Sequence, residues 1–253
     1  MTISNIFKME MYRNFRDRAY LIVIAVLTGL FAIAAAIGIS LIFQSQNGGS
    51  YNTPNLSLVF IEIPFVFALF IALAAFSVIY PWHLLSTDYN NKVLSLVVAS
   101  GVKRSNYYFV KLLATIVSSL LAYLAIGLIP VVLLLGFFHV QFFDAMQQIV
   151  RGLTSGQGWM FIFSSLISSV ATMVILYFVV VLTRGKFWGV FVFLGIRLGL
   201  GVIISTINLS ISSVSGSTTG TLMGSSVSGI IFSLIEIVTF GIIGFVTLKR
   251  QDL

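Results

Sequence analysis

Six separate stretches of this chain are apolar for more than twenty residues each: 19–43, 58–80, 109–136, 160–182, 187–207 and 228–248. At a helical rise of about 1.5 Å per residue, every one of them is long enough to cross the roughly 30 Å of hydrocarbon in a bilayer. The sequence therefore predicts an all-α integral membrane protein with six transmembrane helices, forming a single transmembrane domain over residues 1–253. The composition agrees: 8% of the residues are charged, against about 25% in a globular protein, and the mean hydropathy is +1.08. The first run is 25 residues long and follows 18 residues rich in polar groups. A secretory signal has an apolar region of only about 7–15 residues, so 19–43 is expected to be an uncleaved span.

The connections between the runs set the orientation. Lys8, Arg13, Arg16 and Arg18 precede the first span, and Lys92, Lys103, Arg104 and Lys111 lie between the second and third. Arg184 and Lys186 separate the fourth and fifth spans, and Lys249 and Arg250 follow the sixth. With six crossings these residues all fall on one side, which leaves Arg151 opposite them and Arg197 inside the fifth span. Basic residues are retained on the cytoplasmic side, so both chain ends are expected in the cytoplasm; the membrane is expected to be the plasma membrane. The net charge of +7 is thus a topology signal, and no nucleic-acid partner is expected.

The longest polar interruption on the basic side is 82–111, WHLLSTDYNNKVLSLVVASGVKRSNYYFVK. Ser86, Thr87 and Asp88 are helix N-cap types, and Val93, Leu94, Val97 and Val98 follow, the last three sharing one helical face. Gly101 stands where a helix end favours a residue tolerant of positive φ. The pattern predicts a short amphipathic helix over 86–100, a turn, and a new helix capped by Ser105. An idle interfacial linker fits the same residues. Before the first span, Ile3, Phe7, Met11 and Phe15 recur every four residues among the basic side chains, which suits an interfacial helix over 1–18 with Glu10 and Asn14 interrupting its apolar face. A basic flank that is helical only by continuity with the first span fits as well.

On the opposite side, 44–56 is an uncharged polar loop. The spacing of Phe142, Phe143, Met146, Ile149, Val150 and Leu153 within 140–158 predicts an interfacial helix. The Ser-, Gly- and Thr-rich stretch 208–227 is expected to be a mobile loop or a re-entrant segment.

Three ionisable residues fall within spans: Glu62, Arg197 and Glu236. Arg197 and Glu236 lie at similar depth on sequential antiparallel helices. An unpaired Arg there costs at least about 2.5–3.5 kcal/mol, so they are expected to pair, or else to line a polar conduit. Gly195 and Gly199 form a small-xxx-small pair that suits close packing within the bundle.

Catalytic constellations are missing from the sequence. The absence of cysteine excludes disulfides and thiolate chemistry, and the two histidines, His83 and His139, belong to opposite membrane faces and cannot share a metal. The segments around Gly101 and Gly185 lack the spacing of a phosphate-binding loop. No catalytic residue, bound cofactor or metal is therefore expected in this chain.

The six-span plan, with its principal polar segment between spans two and three, resembles the permease subunits of the ABC type-2 exporter family. The likeness is most specific over Asp88, the helix 93–99, Gly101, Arg104 and Lys111. Asn91-Lys92 and Gly101 depart from the family's usual Gly-Thr and Pro. The resemblance implies that 86–100 is a coupling helix docking on a separate ATPase, with Asp88, Val93, Leu94, Val97, Val98, Gly101 and Arg104 as the coupling residues, and that 1–18 is an elbow helix. It also implies two ATPase copies carrying ATP and Mg, and a second permease that is identical or homologous. The small size is similar to permeases that export, or give immunity against, antimicrobial or amphipathic peptides. Two other readings fit the residues: an ATP-independent membrane immunity or sensor protein, and an ion-coupled secondary transporter using Glu62, Arg197 and Glu236.

Overall fold

A computed structural model describes residues 3–47, 56–91, 93, 101–137, 147, 150–151, 154, 156–215 and 218–251. Among them are seven helices and no strand: α1 (Ile3–Arg16), α2 (Arg18–Asn47), α3 (Leu56–Asn90), α4 (Arg104–Phe137), α5 (Gly156–Thr183), α6 (Gly189–Ser215) and α7 (Thr218–Arg250). Helices α2 to α7 are each long and apolar enough to cross a membrane. Their exposed residues are largely Phe, Leu, Ile and Val, among them Phe67, Phe70, Phe161, Phe191, Leu198 and Ile242. In water this surface would be untenable; in a bilayer it is the lipid-facing side.

The chain divides into two compact units, to which α1, α3 and α4 each contribute one part. The unit comprising 12–80 and 117–149 is held by aromatic stacking and a few polar links. Tyr20 stacks on Tyr80 at 4.5 Å and Phe76 on Tyr80 at 5.2 Å. The Asn14 Nδ2 group donates to Ser118 Oγ at 2.9 Å, and the Tyr20 hydroxyl donates to the Ser118 carbonyl at 3.2 Å. Asp17 Oδ1 accepts from the Ala19 N–H at 3.0 Å, capping α2 and separating it from α1.

The second unit comprises 1–11, 81–116 and 150–253. Its centre is α5, whose run from Met173 to Val181 is almost wholly covered and which packs most extensively against α7. Small residues permit that approach: a Cβ added at Gly244 would lie 2.8 Å from the Tyr108 hydroxyl and 3.5 Å from the Phe178 Cα, and the Tyr108 ring stacks on Tyr177 at 4.7 Å while its hydroxyl donates to the Gly241 carbonyl at 3.2 Å. The turn after α5 is a Schellman closure, in which Gly185 N–H reaches the Val180 carbonyl at 3.0 Å and Arg184 N–H the Val181 carbonyl at 3.3 Å. Both Arg184 and Gly185 have positive φ, 53° and 73°. Any side chain at 185 would meet the Tyr89 Cβ at 2.9 Å and the Ser86 carbonyl oxygen at 3.2 Å. The turn is thus seated directly on the last turns of α3.

Several sequence expectations change. Ser86, Thr87 and Asp88 do not start a helix at 86; they belong to the final turns of α3, which runs on to Asn90. Their hydroxyls are occupied locally, Thr87 Oγ1 donating to the His83 carbonyl at 2.6 Å, as Ser and Thr do when tertiary packing keeps them inside a helix. Of the expected 86–100 helix, Val93 is helical, while Leu94, Val97 and Val98 lie outside the described residues. Gly101 does adopt positive φ, at 84°. Ser105 is not the cap of the next helix, because α4 already includes Arg104 and its first closure joins Tyr107 N–H to the Lys103 carbonyl.

The stretch 208–227, expected to be a mobile loop or a re-entrant segment, is helical up to Ser215 and again from Thr218. Its hydroxyls bond back within the helix, as Ser210 does to the Thr206 carbonyl at 2.9 Å, and Ser228 donates to Asn208 Oδ1 at 2.7 Å, linking α7 to α6. Polar composition alone did not reveal that the backbone supplies its own partners. Most of 140–158 lies outside the described residues; Gln147, Val150, Arg151 and Thr154 are helical and exposed. Gly195 and Gly199 face outward with open space beside them instead of packing within the bundle, because α6 meets α5 and α7 through its other face.

Two glycines with the same backbone sign test this account. Gly101→Ala, with open space around it, should lose about 1–2 kcal/mol from left-handed strain alone. Gly185→Ala should lose clearly more, since backbone atoms of α3 must also shift. Unfolding of the detergent-solubilised variants measures the difference; equal losses would remove the close seat of the turn on α3.

Candidate functional site

Two groups of charged side chains lie inside the second unit, and both arise because a long apolar helix carries one ion that another helix can match. The first is centred on Lys111, two turns into α4. Its ammonium lies 2.9 Å from Glu10 Oε2 of α1 and 2.8 Å from Asp88 Oδ2 at the end of α3. The Tyr107 hydroxyl donates to that same Asp88 oxygen. All four residues are covered: Glu10 0%, Lys111 1%, Asp88 2% and Tyr107 2% exposed. One cation shared by two carboxylates from two other helices fixes α1, α3 and α4 at a common point.

Such an arrangement persists only because each ion has its counterpart. Withdrawing a charge from water carries a penalty of several kcal/mol per ion, and close, hydrogen-bonded opposite charges offset it. Sequence reasoning included Asp88 and Lys111 but missed Glu10, treating it as an interruption of an apolar face. The buried stripe of α1 contains Ile6, Glu10 and Asn14, whereas Ile3 and Phe15 are exposed. Their own four-residue spacing was the available signal. Ranking faces by apolarity could not find a stripe whose compensation comes from Lys111, a hundred residues away.

The second group sits within the spans, where pairing was expected and is observed. Arg197 Nη1 of α6 lies 3.0 Å from Glu236 Oε2 of α7. Arg197 Nη2 donates to Ser168 Oγ of α5 at 3.2 Å. Glu236 is buried, whereas the Arg197 side chain remains 31% exposed. The guanidinium fork thus ties three consecutive helices together, its planar donors serving a carboxylate and a hydroxyl at once. Glu62 lies on α3, and its side chain falls outside the described residues.

Arg104, expected among the coupling residues, reaches the end of α7. Its Nη1 donates to the backbone carbonyls of Gln251 at 2.8 Å and Lys249 at 3.4 Å, holding the start of α4 against the end of α7. Gln251 Nε2 in turn donates to the Val181 carbonyl at 2.6 Å. The chemistry available in both groups is ionic fastening. Comparison of the chain with protein-family models, with curated proteins and with solved structures gives no match.

Lys111→Met should be the most damaging single change, costing about 3–5 kcal/mol because two carboxylates lose their buried cation. Unfolding in detergent measures it; a loss below about 1 kcal/mol would mean the cluster is solvated. For the other group, Arg197→Leu and Glu236→Leu should each destabilise, and the double variant should recover about 1–2 kcal/mol relative to their sum. Simple additivity would dissolve the pair.

Proposed function

We propose that this chain is the transmembrane permease subunit of an ABC exporter, moving an amphipathic or antimicrobial peptide, or another hydrophobic compound, out of the cell. In this reading it is a multi-pass plasma-membrane protein with both ends cytoplasmic. ATP and Mg belong to a separate ATPase, present in two copies, and a second permease, identical or homologous, completes the path. Helix α1 acts as the elbow, and the segment after α3 is the coupling helix.

The observation that carries the proposal is the Glu10, Asp88 and Lys111 cluster. A transporter driven from outside the bilayer needs its docking segment attached to rigid helices, so that displacement at the surface moves the spans and is not absorbed locally. Asp88 lies just before that segment and Lys111 just after it, and their 2.8 Å ion pair joins α3 to α4 across it. Glu10 adds α1 to the same point. The positive φ of Gly101 suits the turn between the coupling helix and α4.

An ion-coupled secondary transporter is the second reading, and the Arg197 and Glu236 pair favours it. Intraspan ionisable residues on facing helices are the usual components of such relays. The two readings differ in what they require of the coupling segment and of the midspan ions.

The test is purification of the tagged chain from its native membrane, followed by transport in proteoliposomes containing any ATPase that accompanies it. An ATPase should co-purify. Leu94→Asp combined with Val97→Asp should reduce ATP-driven transport at least about tenfold, since apolar docking contacts of this kind are each worth ~1–3 kcal/mol, while leaving the chain folded. Undiminished transport without an ATPase, abolished by Glu236→Gln, would replace the exporter with the ion-coupled reading. Labelling of a cysteine at Asn90 from outside intact cells would reject cytoplasmic docking altogether.

A further inference from the structure

Between the start of α4 and the end of α7 is a cavity of about 310 Å³, lined by Lys103, Arg104, Ser105, Phe245, Leu248 and Lys249. Its rim is cationic. Lys103 and Lys249 are exposed, and neither makes an ion pair or side-chain hydrogen bond among the described residues. Arg104 braces the same rim through the Lys249 and Gln251 carbonyls. The first turn of α4 adds N–H groups that precede its first backbone closure, at Tyr107; a helix of 34 residues presents these at the positive end of its dipole. Lys103, Lys249, Arg104 and Ser105 share this lining with the apolar Phe245 and Leu248, and the volume suits a phosphodiester with its glycerol.

What lies deeper in the bilayer is equally specific. About one turn below the rim, Phe109 and Phe245 stack at 5.9 Å between α4 and α7. Phe109 is 60% exposed, and Ile242 and Val246 continue an open apolar strip along α7. The strip begins where the cationic rim ends. A free phosphate would use the rim and leave the strip uncovered, whereas a phospholipid covers both, its headgroup at the interface and an acyl chain against the aromatic pair.

We propose that this cavity binds the headgroup phosphate of an anionic phospholipid, with one acyl chain lying along Phe109, Phe245 and Ile242. Basic pockets between membrane helices on the side carrying the positive residues recognise such headgroups. The site requires only that the chain span a membrane, so it stands apart from the exporter reading. Because Arg104 links the α4 start to the α7 end at the same rim, the lipid also supports the junction of those helices.

The experiment reconstitutes the intact chain into vesicles of equal parts phosphatidylglycerol and phosphatidylcholine, extracts it in mild detergent, and measures the ratio of the two lipids retained. The wild-type chain should retain phosphatidylglycerol preferentially. K103Q and K249Q should each lower that preference about fivefold, and the double variant more steeply. K103R/K249R should keep it. K186Q/R250Q removes two exposed charges outside the cavity and should leave the preference unchanged; an equal loss there would reduce the effect to general surface charge and overturn the site. Inorganic phosphate alone, added to lipid-depleted protein, should not raise the unfolding temperature. A rise abolished by K103Q/K249Q, without preferential lipid retention, would make the ligand free phosphate and reject the lipid. Undiminished preference in K103Q/K249Q also rejects the proposal. Should the double variant fail to fold, either single variant decides the matter.

Discussion

A lysine ammonium enclosed by protein is among the costlier groups a fold can contain, and Lys111 is accommodated because Glu10 and Asp88 both stand within 2.9 Å of it. The constraint acts in both directions: each carboxylate is as dependent on the cation as the cation is on them. An elementary electrostatic requirement therefore fixes three helices at one point, with ions from positions 10, 88 and 111. α1 cannot lie with its apolar residues inward and its acid outward, as a simple interfacial helix would. α3 cannot end at Tyr80, where its apolar run stops, because Asp88 has to be carried two more turns to reach Lys111. The Schellman turn after α5 then finds a rigid surface at Ser86 and Tyr89.

The six spans were legible because hydropathy over twenty residues is a strong signal and bilayer thickness is a fixed length. The Arg197 and Glu236 pair was legible for the same reason: charges in hydrocarbon are rare, and two of opposite sign at equal depth constrain each other. Glu10 was not, since a single acid among basic residues in a membrane flank has no local signature of burial. The ends of elements were obscured by a related ambiguity. Ser, Thr and Asp favour helix starts when water competes for the backbone, yet Thr87 and Ser210 sit inside helices with their hydroxyls bonded to the carbonyl four residues earlier. Composition reports a residue's capacity to cap; whether it caps depends on what the following turn packs against.

The two charged groups differ in how they meet their surroundings. The Lys111 group is sealed on every side, which suits a permanent fastening. Arg197 leaves part of its guanidinium uncovered while Glu236 is enclosed, and the adjoining surface of α6 is open at Gly195, Gly199 and Gly201. Local stability should follow this division, with the junction of α1, α3 and α4 among the last regions to open and α6 more easily displaced.

The midspan pair also bears on biosynthesis. A ribosome delivers α5, then α6, then α7, and thirty-nine positions separate Arg197 from Glu236. During that interval, Ser168 is the one of its final side-chain hydrogen-bond partners among the described residues that has already emerged. If each final contact forms once its partner has emerged, the guanidinium meets the α5 hydroxyl first and the carboxylate afterwards. On that order of events, a serine hydroxyl would hold the place of an acid not yet translated.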